Sequence, residues 1–388
     1  MKVAVVLAGL ACGCSRPASV VAESKGTATG GSPVDAVPHL READDTARFV
    51  AGLPGRTGSP FADLETGAAW KEHRRLLDAA WQKADTAMLG GLHEFHRELQ
   101  DVAPDNVPVW YPFGGPDALM PTICFPRSPA YILVGLEPAG TLPPFAEVRK
   151  KNLERYLRDL RTTMASDLGR SFFVTREMDR QFRGQVTDGL LLPILHLLVR
   201  TDHTILGFRY VRLDDSGQPV DRPANYRAAP GDPANKGVEI EFRTDADQSI
   251  HKLSYFSVNL ADVRLRGNDP FLRYVKTLKG ATTLLKATSY MTHRAEFSQI
   301  RDLVLSTSGA ILQDDSGIPY HWFTAAGWRV QLYGDYNRPY GSFRWLEQPD
   351  LRKAYREAGV KPLPMHVGYG FRRIASNLLL AKRTTTLP

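Results

Sequence analysis

Apolar residues recur at helical spacing in two long segments of the chain. Across residues 70–99 they fall three, four or seven positions apart, which places one apolar stripe along a helix, and Gly90–Gly91 predicts a break in it. Residues 145–168 carry a second stripe, with mostly basic residues on the opposite face. The segment 189–199, GLLLPILHLLV, is apolar on every side but too short to cross a bilayer, so it predicts a buried helix.

Shorter apolar runs between these helices predict strands. Residues 238–244 and 251–258 alternate apolar and polar side chains and lie close in sequence, which predicts a hairpin. The other predicted strands are VWYPF (109–113), AYILVGLE (130–137), ILGFRYVRL (205–213), WRVQLYG (328–334) and MHVGYGF (365–371). Because helices and strands are interleaved irregularly, we expect an α/β (α+β) fold. Its sheet should be mixed and largely antiparallel, with packed helices in a single large body.

The N-terminus has a different pattern. One lysine precedes the apolar run VAVVLAGLA, which is too short for a permanent membrane span and is typical of an export signal. Cysteines follow the run, as in the bacterial lipobox, where the cysteine after the cleavage site receives lipid. Cys14 is the better match, because the small residues Gly13 and Ala11 precede it at positions minus one and minus three. Cys12 is one alternative, and an ordinary signal peptide cut near residues 20–22 is another.

The chain after this signal is small, polar and punctuated by proline and glycine, which predicts a flexible tether. The predicted organisation is therefore a lipoprotein-type signal peptide (1–13), a tether (14–42) and a globular body (43–388). Lipid on the cysteine would hold the body at a membrane surface. We therefore expect a protein of the cell envelope, membrane-anchored by lipid and facing the periplasm or the exterior.

Composition excludes several classes of partner and cofactor. The 388 residues are 43% hydrophobic with a formal charge of +7, and the basic residues are spread along the chain, so nucleic acid is not an expected partner. The predicted body holds a single cysteine, Cys124, which predicts neither a disulfide nor a cysteine zinc site. His93 and His96 share a helix face but have no recognisable third ligand, so we expect no metal and no cofactor.

Two stretches share the pattern Asp-Asp-Ser-Gly-x-Pro, at 213–220 (LDDSGQPV) and 313–320 (QDDSGIPY). Aspartate caps a reverse turn and glycine supplies a positive φ, so a turn explains both. A functional reading stays open for the second copy. Residues 110–117 (WYPFGGPD) and 333–345 (YGDYNRPYGSFRW) also combine aromatic rings, glycine, proline and carboxylates. That combination suits sugar rings or polar polymers, and equally a buried polar network that joins loops.

Three motifs resemble those of a family of uncharacterised bacterial lipoproteins. They are YPFGGPD at 111–117, GLEP at 135–138 and QDDSGIP at 313–319, and the resemblance extends over residues 65–382. It implies an exported, anchored body and brings no activity with it. The chain departs from the family pattern at Gly114, where we expect a serine.

Two functions are compatible with these residues. The first is binding of a polar envelope ligand, either a glycan or a protein partner, without catalysis. Its predicted site is one concave face formed by Tyr111, Asp117, Asp314, Asp315, Tyr333, Asp335, Tyr336 and Arg344. We also expect Asp314 and Asp315 to divide their roles. One should accept N–H groups within the turn, and the other should meet Arg344 or Tyr336.

The alternative is a hydrolase that acts on an envelope polymer with paired carboxylates. Its candidates are Asp117, Glu137, Asp314, Asp315 and Asp335. The chain contains no Gly-x-Ser-x-Gly, no Walker A loop and no dinucleotide fingerprint, so no catalytic motif is recognisable and enzymatic activity is left open.

Overall fold

The computed structural model describes most of the chain. It covers residues 38–100, 106–168, 188–227, 235–246, 248–324, 327–336, 338–339, 341–357, 359–370 and 376–384. The predicted signal peptide 1–13, the predicted lipidation site Cys14 with its alternative Cys12, and the predicted tether as far as residue 37 lie outside these ranges. The first described helix begins at Pro38, so structured chain starts before the boundary predicted at residue 43.

The predicted amphipathic segments form helices. The helices are α1 (Pro38–Val50), α2 (Ala62–Glu65), α3 (Ala68–Ala84), α4 (Gly90–Leu99), α5 (Leu119–Cys124), α6 (Phe145–Lys150), α7 (Leu153–Leu168), α8 (Leu191–Arg200), α9 (Asp262–Leu265), α10 (Asp269–Lys276), α11 (Ser298–Thr307) and α12 (Pro349–Glu357). A π-turn, Asp85–Leu89, joins α3 to α4 directly before Gly90, where the break was predicted. The second predicted helix is divided into α6 and α7, and the Asn152 side chain caps α7 by accepting the Arg155 N–H at 3.1 Å.

Ten strands of the described residues form one sheet. The strands are β1 (Val109–Tyr111), β2 (Ala130–Gly135), β3 (His203–Leu213), β4 (Pro219–Asp221), β5 (Lys236–Thr244), β6 (Ile250–Ser257), β7 (Thr282–Leu285), β8 (Ala310–Gln313), β9 (Trp328–Gly334) and β10 (Asn377–Arg383). Their order is β4-β3-β5-β6-β2-β1-β7-β8-β10-β9. The hairpin predicted from two alternating runs is confirmed as β5 and β6.

The sheet is mixed and mostly antiparallel, as predicted. The antiparallel pairs lie at its two flanks. The centre, β6-β2-β1-β7-β8, is parallel, a feature that the sequence pattern does not predict. The predicted strand at 365–371 is wrong where it is described, because residues 365–370 form no strand and end in the 3₁₀ turn Gly368–Gly370. Residue 371 lies outside the described ranges.

Helices cover both faces of the sheet, because its central strands alternate buried side chains between two cores. Tyr111 and Leu133 point to one face, where α1, α4, α5 and α8 pack. Trp110 and Ile132 point to the other face, where α9, α10, α11 and α12 pack. A smaller cluster around Trp70 joins α3, α6 and α7 at the periphery.

The parallel centre determines where the loops meet. The connection from β1 to β2 runs through α5 over the first face. The connections from β6 to β7 and from β7 to β8 run through α9, α10 and α11 over the second face, in the opposite direction along the sheet. The carboxyl ends of all five strands therefore share one edge, and β1 and β7 lie at the point where the winding direction changes. Open α/β sheets bind ligands at such a point.

Candidate functional site

A cavity of about 810 Å³ opens at this point of the sheet edge. Its walls come from the loops that follow β1, β2, β6 and β7. The lining side chains include Tyr111, Phe113, Asp117, Leu136, Glu137, Asn259, Lys286, Ser289, Met291, Phe297, Phe343 and Tyr369. Its volume falls in the range of small-molecule sites, roughly 300–1,000 Å³.

A buried ion pair belongs to the lining of the cavity. The Lys286 Nζ is 2.7 Å from Asp117 Oδ2, and both side chains are almost fully buried. The Tyr111 hydroxyl donates to the same Oδ2 at 3.1 Å, and the Met120 N–H donates to Oδ1 at 3.2 Å. Both oxygens of Asp117 therefore have partners, which offsets the cost of removing the charges from water.

The loops around the cavity hold residues in the left-handed region of φ. Phe113 follows β1 with a φ of 65°, and Ala287, Ser289 and Tyr290 follow β7 with φ between 52° and 55°. Side-chain-bearing residues rarely adopt this conformation, and such strain clusters at functional sites when the surrounding contacts enforce it. The segment 287–290 is therefore a shaped wall of the cavity, held in place by its neighbours.

The contacts that enforce this wall come from two other segments. The Ala287 N–H donates to Asp314 Oδ2 at 2.8 Å. The Tyr369 hydroxyl donates to the Ala287 carbonyl and accepts from the Ser289 N–H, each at 2.8 Å. The Thr288 N–H donates to the Ser316 hydroxyl oxygen at 2.8 Å. The QDDSGIP motif thus supports the cavity wall from behind and does not line the cavity.

The two carboxylates of this motif divide their roles, partly as expected. Asp314 Oδ1 accepts the Ser316 N–H at 3.0 Å, so Asp314 is the predicted turn carboxylate. Asp315 accepts hydrogen bonds from the Tyr290 hydroxyl and the Asn377 amide. The expected partners Arg344 and Tyr336 do not hydrogen-bond to Asp315 in the described structure, where Tyr290 and Asn377 are the side chains that do.

Burial changes the acidity of this pair. Removal from water, reinforced by the neighbouring charge of Asp315, raises the pKa of Asp314 to about 7. Burial also raises the pKa of Asp315, against the hydrogen bonds from Tyr290 and Asn377. The exposed copy of the motif shows the contrast, because bonds from Ser216 and Gln218 lower the pKa of Asp214 in the turn between β3 and β4.

The remaining predicted site residues do not reach the cavity. Tyr333 is fully buried and packs its ring edge-on against Phe95, with centroids 5.1 Å apart. The Tyr336 hydroxyl accepts the Gln348 N–H at 2.9 Å, and Asp335 is exposed beside it. Arg344 is also exposed. The single concave face predicted from the sequence is therefore not formed, although Phe343 of the same stretch does line the cavity.

The site residue that the binding prediction missed is Lys286. It directly follows β7, a strand that was not predicted, and is the first residue of the segment KATSY (286–290). Glu137, expected only under the hydrolase alternative, lines the same cavity as Asp117.

Other chemistry is limited among the described residues. They contain no group of three or more His, Cys, Asp or Glu placed to hold a metal ion. Burial raises the pKa of the Cys124 thiol to about 12, which makes it a poor nucleophile. In the same ranges no helix has the length and apolar character needed to cross a bilayer.

No protein-family model, curated protein or solved structure matches this chain. The resemblance to bacterial lipoproteins therefore stays a prediction.

Proposed function

We propose that this chain is a lipid-anchored protein of the cell envelope that binds a polar envelope ligand without catalysis. The observation that carries the proposal is the cavity of about 810 Å³ at the change of winding, with the buried Asp117–Lys286 pair in its lining. Strained loops around it support the same proposal, because binding requires a preformed shape. The anchor and the location rest on the predicted lipobox.

Binding is favoured over catalysis by the state of the carboxylates. The oxygens of Asp117 accept from Tyr111, Met120 and Lys286, and a general base must keep an oxygen accessible to the proton it removes. Asp314 and Asp315 are engaged inside the fold. These carboxylates therefore have structural partners where a hydrolase would need reactive oxygens.

A hydrolase remains the second candidate because of one observation. Glu137 and Asp117 line the same cavity, and two carboxylates at one site can act as acid and base once Asp117 gives up one of its present partners. The alternative therefore narrows from five candidate carboxylates to this pair.

A fluorescence titration with soluble cell-wall glycans tests the proposal. Trp345 lies two residues after Phe343 and is 71% exposed, so it should report occupancy of the cavity mouth. Glu137→Gln should weaken binding about tenfold or more, the loss expected for a hydrogen bond to a charged group. Asp335 is exposed and does not line the cavity, so Asp335→Asn is the matched control and should bind like the wild type.

The outcomes separate the two functions. Saturable binding with no new reducing ends after prolonged incubation supports binding alone. Release of reducing ends that Glu137→Gln abolishes would establish the hydrolase. If no envelope polymer binds and crosslinking captures no partner, the proposal is overturned.

A further inference from the structure

Charged and large apolar side chains of the cavity lining differ in their exposure. The three charged lining residues, Asp117, Glu137 and Lys286, are buried, with exposures of 3%, 8% and 8%. Four lining residues with large apolar side chains, Phe113, Met291, Phe297 and Phe343, are partly exposed, and the polar residues Asn259 and Ser342 are exposed as well. Solvent therefore reaches large apolar side chains of the lining, while its charged groups are buried.

The apolar character continues onto the outer surface. Five large hydrophobic side chains of the described residues are exposed, and three of them belong to the cavity lining or follow a lining residue by two positions in sequence. These three, which we call the rim, are Leu136, Val263 and Trp345, with exposures of 54%, 79% and 71%. Leu136 lines the cavity itself, and the other two lie two residues after the lining residues Ala261 and Phe343.

The loop after β2 shows the same division in adjacent residues. Leu136 faces outward, whereas Glu137 is buried in the cavity. An arrangement with charges inside and apolar side chains outside suits a molecule that enters with its polar end first. The apolar part of such a molecule would then cover the mouth and the rim, which removes their apolar surface from water.

We infer that the ligand is an amphiphile with a hydroxyl-bearing head and a hydrocarbon chain, which rests on the binding function proposed above. Two carboxylates and one ammonium belong to the buried part of the lining, so the head should donate hydrogen bonds, and Glu137 and Ser289 offer acceptor oxygens. The hydrocarbon chain lies across Phe297, Phe343 and the rim. The head alone occupies the interior.

A homologous series of n-alkyl β-D-glucosides tests this inference by calorimetry below the critical micelle concentrations. Each methylene that is buried should tighten binding about three- to fourfold, so octyl glucoside should bind about tenfold tighter than hexyl glucoside. In the double variant Leu136→Ser/Val263→Ser this gain should fall to about threefold or less. Both substitutions fall on exposed side chains, so the fold should be unaffected.

Ile250→Ser is the matched control. Ile250 is 66% exposed but stands at the amino end of β6, on the opposite edge of the sheet from the cavity. The control should keep the full dependence on chain length.

Three results overturn the inference. The first is equal affinity for hexyl and octyl glucoside, and the second is an equal loss of the gain in Ile250→Ser. The third is that the protein binds a glycan but no glucoside. In that case the inference fails and the proposed binding function stands. If neither glucosides nor glycans bind, both proposals fail.

Discussion

At the scale of single residues, the Asp117–Lys286 pair links the fold to the cavity. Lys286→Met leaves a buried carboxylate with one fewer partner, and Asp117→Asn leaves a buried ammonium without its counter-charge. Each should lower the free energy of unfolding by about 3 kcal/mol or more. The double variant should lose clearly less than the sum, because it removes both charges together.

Urea denaturation of the four proteins measures this coupling. Glu72→Gln, which breaks an exposed ion pair with Arg75, is the control and should change stability little. Additive losses at Asp117 and Lys286 would contradict a direct interaction between them.

Asp314 makes the stability of the protein depend on pH. Its pKa is about 7 in the folded chain, above the ordinary value of 3.8, so the folded state binds the proton more tightly than the unfolded state. The stability that this group contributes is complete below about pH 4 and is lost as the pH rises through about 7. Asp314→Asn cannot titrate, so its stability relative to the wild type should improve as the pH rises from about 4 to 7.

Unfolding in urea at a series of pH values checks this trend, and subtracting the variant's curve cancels the contributions of groups that both proteins share. A difference between the two proteins that stays constant with pH would contradict it. The ligand affinity of Asp314→Asn, compared with that of the wild type, gives a second measurement. The Asp314 carboxylate accepts the Ala287 N–H and so fixes this residue in the cavity wall.

At the scale of elements, the sequence predicts what is long and periodic. The helices α3 and α7 have 17 and 16 residues, and α4 adds 10 more after α3, so their apolar stripes stand out. The strands β7 and β8 have four residues each, all buried, and therefore show no alternation between polar and apolar positions. Because β7 was missed, its carboxyl end was missed too, and with it Lys286. The parallel centre depends on pairings between distant segments, which no local pattern records.

The loop after β1 offers a test of how tightly the cavity is built. A Cβ atom at Gly114 would lie 2.6 Å from Cγ of the Tyr111 ring, closer than real contacts allow. Gly114→Ser, the residue expected from the lipoprotein pattern, should therefore displace Tyr111 from Asp117. We expect a loss of about 1–3 kcal/mol of stability together with weaker ligand binding.

Thermal and urea unfolding measure the first effect, and the glycan titration measures the second. Gly267→Ala is the control, because a Cβ there meets nothing within 4 Å and its φ is ordinary. It should stay within about 0.5 kcal/mol of the wild type. A Gly114→Ser protein of unchanged stability and affinity would show that the ring can move without cost.

At the scale of the whole molecule, the proposed lipid anchor can be tested directly. We expect radioactive palmitate to label the protein in a bacterial host, and Cys14→Ser to abolish the label and release the protein from the membrane fraction. Cys12→Ser should keep both, because Cys14 is the better lipobox match. If only Cys12→Ser loses the label, the lipidated residue is Cys12. If the wild-type protein is not labelled, the proposal of a lipid anchor is wrong.

The position of β10 in the sheet has a consequence for biosynthesis. This strand, Asn377–Arg383, lies between β8 and β9, and among the described strands β9 pairs with β10 alone. A ribosome delivers every preceding strand before β10, so a nascent chain holds β8 and β9 with open edges until β10 emerges. Open edges recruit other chains. Tyr369, which fixes the cavity wall, emerges after β9 and before β10. A ribosome that stalls before residue 369 therefore leaves a chain that is both prone to aggregation and unable to bind.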